Sequence, residues 1–374
     1  MNTFPQVYFY PHAYMRDRQL DTIRSWPTDR VLNPEIADRR GSQVSVNRAL
    51  APSQAISWKQ RLPLLNIKRR PRGLPREAAV YVWGAIMASG PFIVALDNPY
   101  ALTGYNYRAL GRYRRLLQAL LESHRCLAIH CMSQACREGV AYLFGQAVAD
   151  KAIVDYPKIR QEVQAVPESQ GECRFLFIGT QFEIKGGAAL LAAFEAVRKA
   201  VPSATLDCIT HLPPEYESLV NRCAGLTIFP AELPREEIYQ RFMRTADVLV
   251  HPTYIESFGM VVLEALAHGL AIITTDVYAL KEMVHDGRNG FVLPPPISAW
   301  SDYLPTPHLI DWPHFKDRVR NTDTAAFTDR LAEAMIRLAA DHQFRTQARR
   351  ESLRVLADSF LARPSERLAE GIHA

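Results

Sequence analysis

One stretch constrains the fold more than any other, residues 246–276, which reads ADVLVHPTYIESFGMVVLEALAHGLAIITTD. Two short apolar runs in it, Val248–Val250 and Ala271–Thr274, have the composition of buried strands. The run between them, from Phe258 to His268, consists of residues that favour a helix. This order predicts a β-α-β unit in a parallel sheet, so we expect an α/β fold.

The ends of this helix point to a ligand site. Ser257 is a candidate N-cap, Gly269 stands where a C′ glycine belongs, and Gly259 lets a ligand approach the backbone closely. Since the helix is apolar on every face, it should be buried, and its only carboxylate, Glu264, needs a partner. Glu256 precedes the helix, in the loop at the strand's carboxyl end, where ligands of open α/β sheets bind. We therefore expect two acids and a helix N-terminus in one crevice.

Each acid alone fits a structural role, Glu256 as a solvated loop residue and Glu264 as the partner of a helix dipole or an arginine. Together, the segment from Glu256 to Glu264, with Ala-Leu-Ala-His-Gly-Leu-Ala-Ile-Ile-Thr-Thr-Asp after it, resembles the Glu-x7-Glu signature of glycosyltransferase family 4. The likeness continues through KEMVHDGRNGFVLP, residues 281–294. The resemblance implies a retaining, nucleotide-sugar-dependent transferase of the GT-B fold, with two Rossmann-like domains facing each other across a cleft.

Length and composition agree with two domains. A chain of 374 residues that is 48% hydrophobic can bury two cores. Residues 160–171 are rich in Gln and Glu and suit an interdomain linker. We predict a first, acceptor-binding domain at 1–165 and a second, donor-binding domain at 166–358. The resemblance implies that residues 359–374 form a C-terminal helix that returns to the first domain.

Charge is distributed unevenly along the chain. Residues 1–125 carry 19 Lys and Arg against 8 Asp and Glu, although the whole chain has a net charge of only +5. This basic part predicts an anionic partner such as a membrane surface, with residues 68–76 and the helical series Arg108, Arg112 and Arg115 as contacts; a solvated basic surface is the alternative. No recognition module for nucleic acid accompanies the charge. Without a long apolar run or a secretory layout, we expect a cytoplasmic protein, peripheral at the inner face of a membrane if the basic part binds there.

A second motif has the layout of a phosphate site. The strand Arg174–Gly179 is followed by a loop, then Lys185, then Gly186 and Gly187 at the start of an amphipathic helix. The segment GTQFEIKGGAALLAAFEAVRKAVPSATLDCIT resembles the family's diphosphate-binding segment, which implies that role for Lys185. The family commonly has an arginine directly after the first glycine, whereas this chain has Thr180.

The resemblance also implies the remaining roles. Glu264 would bind the ribose hydroxyls and Glu256 the sugar hydroxyls, with catalysis by Glu256, Lys185 and Asp97. The other substrate-binding residues are Ser257, Phe258, Gly259, Met260, Gly179, Thr180 and Gly186. Asp97 stands after the strand Phe92–Leu96, where the family often places a histidine. It either orients the sugar or the acceptor hydroxyl, or caps a turn with Asn98 and Pro99.

Metal chemistry is not expected, because a GT-B enzyme can stabilise the departing diphosphate with cations and helix N-termini, and the chain has no Asp-x-Asp pair. No cofactor is expected beyond the nucleotide-sugar donor. A Rossmann dehydrogenase is excluded, since no Gly-x-Gly-x-x-Gly follows an early strand. Two alternatives stay open: a catalytically silent GT-B module that binds a nucleotide or glycan, and a nucleotide-sugar epimerase of the same fold. The sequence leaves the donor base, the sugar and the glycan, lipid-linked or other acceptor undetermined.

Overall fold

The polypeptide forms two parallel sheets, each flanked by helices, in a computed structural model that describes residues 5–10, 15–38, 65–166 and 171–361. One sheet lies within residues 7–154 and the other within residues 174–293. The α/β architecture predicted from the sequence is therefore confirmed. The division at 165 and 166 stays a prediction, and the two sheets fall on either side of it.

The first sheet has the order β1-β3-β5-β6-β7, and every strand pair in it is parallel. The strands of this half are β1 (Val7–Phe9), β2 (Ile67–Lys68), β3 (Ala79–Trp83), β4 (Ile86–Met87), β5 (Phe92–Leu96), β6 (Cys126–Cys131) and β7 (Ala152–Val154). Its helices are α1 (Asp17–Arg24), α2 (Ala109–Glu122), α3 (Gln134–Phe144) and α4 (Gln146–Ala149), with 3₁₀ turns at Thr28–Arg30, Pro34–Asp38 and Pro99–Thr103.

The second sheet has the order β10-β9-β8-β11-β12-β13, again with parallel pairs throughout. Its strands are β8 (Arg174–Gly179), β9 (Thr205–Thr210), β10 (Leu226–Phe229), β11 (Val248–His251), β12 (Ala271–Thr275) and β13 (Gly290–Leu293). Short helices are α6 (Glu217–Arg222), α7 (Arg235–Glu237), a π-helix at Ile238–Met243, and 3₁₀ turns at Pro214–Tyr216 and Tyr278–Glu282. The longer helices are α5 (Gly187–Ala200) and α8 (Met260–Ala267).

The remaining elements follow the second sheet. They are the hairpin β14 (Trp300–Ser301) and β15 (Leu304–Pro305), helices α9 (Pro307–Ile310), α10 (Trp312–Arg320), α11 (Ala325–Ala340) and α12 (His342–Val355), and a π-helix at Leu356–Phe360. The predicted C-terminal helix at 359–374 lies, from residue 362 onward, outside the described residues.

The β-α-β unit at 246–276 is confirmed, with one correction at the start of its helix. β11 and β12 pair in parallel, and α8 between them is apolar and buried. Ser257 is not the N-cap: the helix begins after Gly259, whose φ of 92° suits a residue without a side chain. Gly269 has a φ of 64° directly after the C-cap, as a C′ glycine should.

The first helix was missed by sequence reasoning. Residues 11–75 show little periodicity, yet α1 forms at 17–24 with Leu20 and Ile23 buried against β1 and β3. An eight-residue helix with only two buried aliphatic side chains gives a weak periodic signal. Tertiary packing decides its structure.

The two halves share an extensive interface. The Glu282 carboxylate accepts hydrogen bonds at 2.8 Å from the backbone N–H groups of Gln134 and Ala135, which begin α3, and one at 2.9 Å from the Tyr156 hydroxyl. Trp300, from the segment between β13 and α9, packs its ring 6.0 Å from that of Tyr100 in the first half. This contact assigns part of the 297–320 segment, which the sequence left without a role, to the interface.

Within the described ranges, no helix combines the length and apolarity needed to cross a membrane.

Candidate functional site

The strand order of the second sheet locates its ligand crevice. The chain proceeds from β8 through β9 to β10 in one direction and then from β11 to β13 in the other, so the direction reverses between β8 and β11. Open α/β sheets bind ligands at the carboxyl ends of the strands at such a point. Lys185 lies in the segment after β8 and Glu256 in the segment after β11. Two motifs separated by about 70 residues in sequence therefore meet where a ligand is expected.

Lys185 and Glu256 form the centre of this site. The Lys185 ammonium lies 2.7 Å from Oε2 of Glu256 and donates a further hydrogen bond at 3.1 Å to the Ile255 carbonyl. Nε2 of His251, the last residue of β11, lies 3.3 Å from the same Glu256 oxygen. The other Glu256 oxygen accepts a hydrogen bond from the backbone N–H of Ser257. We call Lys185, His251 and Glu256 the donor-side cluster.

The electrostatics of the cluster keep the carboxylate charged. Burial alone would raise the pKa of Glu256, but the Lys185 ammonium and the hydrogen bond from His251 hold that pKa well below its ordinary value. Burial lowers the pKa of His251, a shift that its contact with Glu256 only partly offsets. At neutral pH the cluster therefore combines an ammonium, a carboxylate and a neutral imidazole.

Glycines bring the backbone close to this cluster. Gly186 is the N-cap of α5 with a φ of 77°, and a Cβ there would lie 2.1 Å from the Pro252 carbonyl oxygen. A Cβ on Gly259 would meet a Leu280 methyl carbon at 2.5 Å. Neither α5 nor α8 has a side-chain cap. The Gly187 amide donates to the Phe182 carbonyl and the Val262 amide to the Gly259 carbonyl, so an anion would be bound by other amides of the two first turns.

The second acid, Glu264, is held by an arginine. Nε of Arg235 lies 3.3 Å from a Glu264 carboxylate oxygen, and Nη1 of the same guanidinium lies 3.1 Å from Asp21 in α1. Burial raises the pKa of Glu264, and Arg235 only partly offsets that effect. The partner that a buried carboxylate requires is therefore present, and it also connects the two halves.

Asp97 directly follows β5. Its carboxylate accepts hydrogen bonds from the Tyr105 hydroxyl, at 2.9 and 2.8 Å, and from the backbone N–H of Asn98. The Asn98 side chain donates to Oγ of Ser257 at 2.9 Å, across the boundary between the halves. Asn98 also caps the 3₁₀ turn at Pro99–Thr103, so the turn-capping function belongs to Asn98 and not to Asp97.

The other predicted site residues divide by exposure. Phe258 is buried under the start of α8, Met260 is partly buried, and Thr180 is exposed in the loop after β8. Gly179 lies against Lys185, since a Cβ there would stand 3.1 Å from the lysine Cβ. The structure thus brings Gly179 and Ser257 together with the Lys185–Glu256 pair.

Two neighbours of these residues were missed. His251 ends a buried strand, and the strand-end argument applied to Glu256 could have identified it. No sequence feature indicated that Arg235 would contact Glu264, because an arginine in a short polar helix is common on protein surfaces. The described residues contain no group of three or more His, Cys, Asp or Glu side chains able to hold a metal ion.

Sequence comparisons match part of the chain. Residues 172–304 match the family model of glycosyl transferases group 1. A D-inositol 3-phosphate glycosyltransferase of Arthrobacter sp. is 32% identical over 36% of this chain and 34% of its own length. The lipopolysaccharide glucosyltransferase WaaG of Escherichia coli is 27% identical over 38% of this chain and 37% of its own length. A glycogen synthase of Mycobacterium tuberculosis is 27% identical over 50% of this chain. The chain thus spans between about a third and a half of the length of these relatives.

Structure comparisons extend over the whole chain. Anabaena Alr3699/HepE, solved in complex with UDP and glucose, superposes with a TM-score of 0.56 over 98% of both chains at 12% identity. The pneumococcal O-GlcNAc transferase GtfA, in complex with UDP and GlcNAc, has a TM-score of 0.52 over 75% of this chain and 56% of its own at 13% identity. At identities this low, the two superpositions are evidence for the fold alone. They confirm the GT-B fold expected from the sequence.

Proposed function

We propose that this chain, whose residues 172–304 match the family model of glycosyl transferases group 1, transfers a sugar from a nucleoside diphosphate sugar to a glycan or lipid-linked acceptor, with retention of the anomeric configuration. The observation that carries the proposal is the Lys185–Glu256 pair, 2.7 Å apart at the point where the strand order of the second sheet reverses. Ser257, next to Glu256, contacts Asn98 of the first half. A donor held at the pair would therefore face the first half.

The donor-side cluster suits a leaving diphosphate. As the bond between the anomeric carbon and the diphosphate oxygen breaks, negative charge grows on that oxygen, next to the Lys185 ammonium and the open amides of α5 and α8. The acceptor oxygen bonds to the anomeric carbon on the same face, and its proton passes to the diphosphate. The products are the glycosylated acceptor and a nucleoside diphosphate. These groups supply the charge stabilisation, so we propose a metal-independent reaction.

Glu256 and Glu264 would serve different parts of the donor. Glu256 is charged and lies beside Lys185, which suits hydrogen bonds to the sugar hydroxyls. Glu264 lies in the second turn of α8, and its ionic partner among the described residues is Arg235. This position suits the ribose hydroxyls. Arg235 would keep Glu264 oriented while the ribose binds.

A ligand panel tests the proposal. The melting temperature is measured with UDP, GDP, ADP and their sugars, because a ligand that binds only the folded state raises it by mass action. We expect one nucleotide and its sugars to stabilise the protein, and the matching donor to release nucleoside diphosphate once an acceptor is present. A protein that binds the donor but never turns it over is the silent binding module, and a protein that no nucleotide stabilises contradicts the proposal.

We further propose that the protein is cytoplasmic and that the basic first part contacts an anionic membrane surface. Arg108, Arg112 and Arg115 are exposed on one side of α2, and Leu116 on the same helix is 48% exposed. An apolar side chain among arginines suits the boundary between lipid headgroups and water. Binding to vesicles with anionic lipid should weaken as salt rises, since charges are screened over about 8 Å at physiological ionic strength. Absence of binding at low salt would leave a solvated basic surface.

A further inference from the structure

A cavity of about 370 Å³ lies in the first half of the chain. Its lining contains no residue of the donor-side cluster. Its floor is formed by residues at the carboxyl ends of four neighbouring strands: Trp83, Asp97, His130 and Asp155. Residues at the start of α1 line it from another side. Its volume falls in the range of about 300–1,000 Å³ that small-molecule sites span. We call it the first-half cavity.

His130, which lines this cavity, has an unsatisfied ring nitrogen. The side chain is 1% exposed, and its Nδ1 lies 3.4 Å from a carboxylate oxygen of Asp155 and 3.3 Å from the Tyr81 hydroxyl. Its Nε2 is buried and has no hydrogen-bond partner among the described residues. Buried polar atoms are nearly always paired, so an orphan nitrogen on a residue that lines a cavity suits a hydrogen bond completed by a ligand.

The neighbouring charges determine whether Nε2 of His130 donates or accepts that hydrogen bond. Burial would raise the pKa of Asp155, but His130 and Lys158 lower it to about 2, so the carboxylate is charged at neutral pH. The charged oxygen favours a proton on Nδ1, the ring nitrogen of His130 that faces it. Nε2 then carries the lone pair and accepts a hydrogen bond from a hydroxyl.

Two guanidinium groups supply positive charge to the cavity. Arg16 and Arg18 line it, and neither forms an ion pair with a carboxylate among the residues that the structure describes. Nη1 of Arg18 contacts the Met132 sulfur, and its Nε is buried without a partner. Guanidinium groups bind carboxylates and phosphates through paired hydrogen bonds, so these two arginines suit an anion.

The acidic residues of the cavity do not cancel this charge. Asp97 accepts hydrogen bonds from Tyr105 and Asn98, and Asp155 is paired with His130 and with the Lys158 ammonium at 2.6 Å. The Lys158 ammonium compensates the charge of Asp155, whereas Asp97 has only neutral donors and keeps its negative charge. The two arginines outnumber that one carboxylate, so the lining retains positive charge for a ligand.

The first-half cavity also adjoins the donor side. Asp97 lines it, and the next residue, Asn98, donates its hydrogen bond to Ser257 beside Glu256. A ligand in the cavity would lie across the boundary from the donor-side cluster. This is the arrangement that a transfer between two bound substrates requires.

We propose that the first-half cavity is the acceptor subsite and that the acceptor is an acidic sugar, whose carboxylate or phosphate is bound by Arg16 and Arg18 and one of whose hydroxyls donates to Nε2 of His130. The inference rests on the proposed transferase function. It adds the chemical class of the acceptor and the residues that select it. His130 is here a positioning residue for the acceptor hydroxyl.

Calorimetric binding of three matched sugars tests the inference without a donor. Glucose, glucuronate and glucose 6-phosphate share a ring and differ at one carbon. We expect the two acidic sugars to bind at least about tenfold more tightly than glucose, as charge-assisted hydrogen bonds allow. Equal affinities for all three, or no binding of any of them, would overturn the inference. Inorganic phosphate that binds as tightly as glucose 6-phosphate would identify a plain anion site and would also overturn it.

Substitutions show which residues cause the preference for acidic sugars. The double variant Arg16→Gln with Arg18→Gln should bind the acidic sugars no better than glucose, whereas Arg330→Gln, on the exposed side of α11, should retain the preference. A preference that survives in the double variant places the anion elsewhere. His130→Gln should weaken all three sugars by the same factor, since they share the hydroxyls. Arg18→Lys, which keeps the charge, should retain most of the preference. Cooperative unfolding of the double variant near the wild-type temperature shows that loss of folding is not the cause.

The nucleotide panel separates this inference from the proposed function. If a nucleotide sugar stabilises the protein and is turned over while acidic sugars have no advantage, only the acceptor assignment fails. If no nucleotide binds, the transferase proposal fails first.

Discussion

The two candidate subsites differ in how complete they are. In the donor-side cluster, Lys185 and His251 both bind Glu256, so the charges are balanced before a ligand arrives. In the first-half cavity, Arg16 and Arg18 have no carboxylate partner among the described residues, and Nε2 of His130 has no partner there either. A donor must therefore replace existing contacts of Lys185 and Glu256, whereas an acceptor would complete contacts that are missing. The difference predicts that donor-side substitutions affect the reaction and that cavity substitutions affect acceptor choice.

The largest expected effect tests the donor side. Lys185→Ala removes the only ammonium of the cluster and leaves the departing diphosphate to backbone amides. Loss of one preorganised donor from such a site costs about 3–4 kcal/mol, a factor of roughly 10²–10³ in kcat. Steady-state kinetics with the identified donor measure the loss.

The control for this substitution is Lys199→Ala, on the exposed last turn of α5, which should keep wild-type kcat. The Lys185→Ala protein must also unfold cooperatively near the wild-type temperature. If it keeps more than about a tenth of wild-type kcat, the diphosphate is held elsewhere and the donor-side cluster is not the donor subsite.

A smaller effect distinguishes the two acids of the donor side. Hydrogen bonds to charged groups contribute about 1.5–3 kcal/mol, so Glu264→Ala should raise the donor KM by roughly ten- to a hundredfold with little change in kcat. Glu256→Gln, nearer the reacting carbon, should mainly lower kcat. The same kinetic defect in both variants would show that the ribose and sugar roles are misassigned.

The smallest effect concerns the contribution of Asp155, in the first-half cavity, to the unfolding free energy at acidic pH. The pKa of Asp155 is lowered to about 2 in the folded state, from an ordinary value of 3.8. A lowered carboxyl pKa stabilises the fold above the unfolded value, and this contribution disappears as the pH falls from about 4 through about 2. The shift corresponds to about 2 kcal/mol of unfolding free energy.

Denaturant unfolding at several pH values measures this contribution. Asp155→Asn should be less stable than wild type at pH 7, and the difference should shrink between pH 4 and pH 2. The matched variant Asp329→Asn, on the exposed side of α11, should follow the wild-type curve. A constant difference at all these pH values would mean that Asp155 acts through packing and not through its charge.

The donor side was predictable from sequence because its residues lie in two compact motifs. The strand Arg174–Gly179 and the helix start at Gly187 match the structure. Lys185 and Glu256, which the structure brings together, were both predicted to bind the donor, Lys185 its diphosphate and Glu256 its sugar. The N-cap was misplaced at Ser257 because sequence rules favour a serine, while the close approach of Leu280 at this position requires Gly259. Such local choices depend on neighbours that the sequence does not reveal.

The first-half cavity was not predictable beyond Asp97. Its residues come from α1 and from strands β3, β5, β6 and β7, with no motif that joins them. Arg16 and Arg18 fall in a stretch without clear periodicity, and His130 reads as part of a buried strand. Only the strand order of the first sheet brings their ends together.

The central claim is that the protein transfers a sugar with retention, using Lys185 and helix amides in place of a metal. Proton NMR of the reaction in excess EDTA, with the donor found in the nucleotide panel and an acidic sugar as acceptor, tests it most directly. The account predicts a new linkage with the anomeric configuration of the donor, formed at the same rate with and without EDTA. A product of inverted configuration, or activity that EDTA abolishes and Mg²⁺ or Mn²⁺ restores, would contradict it.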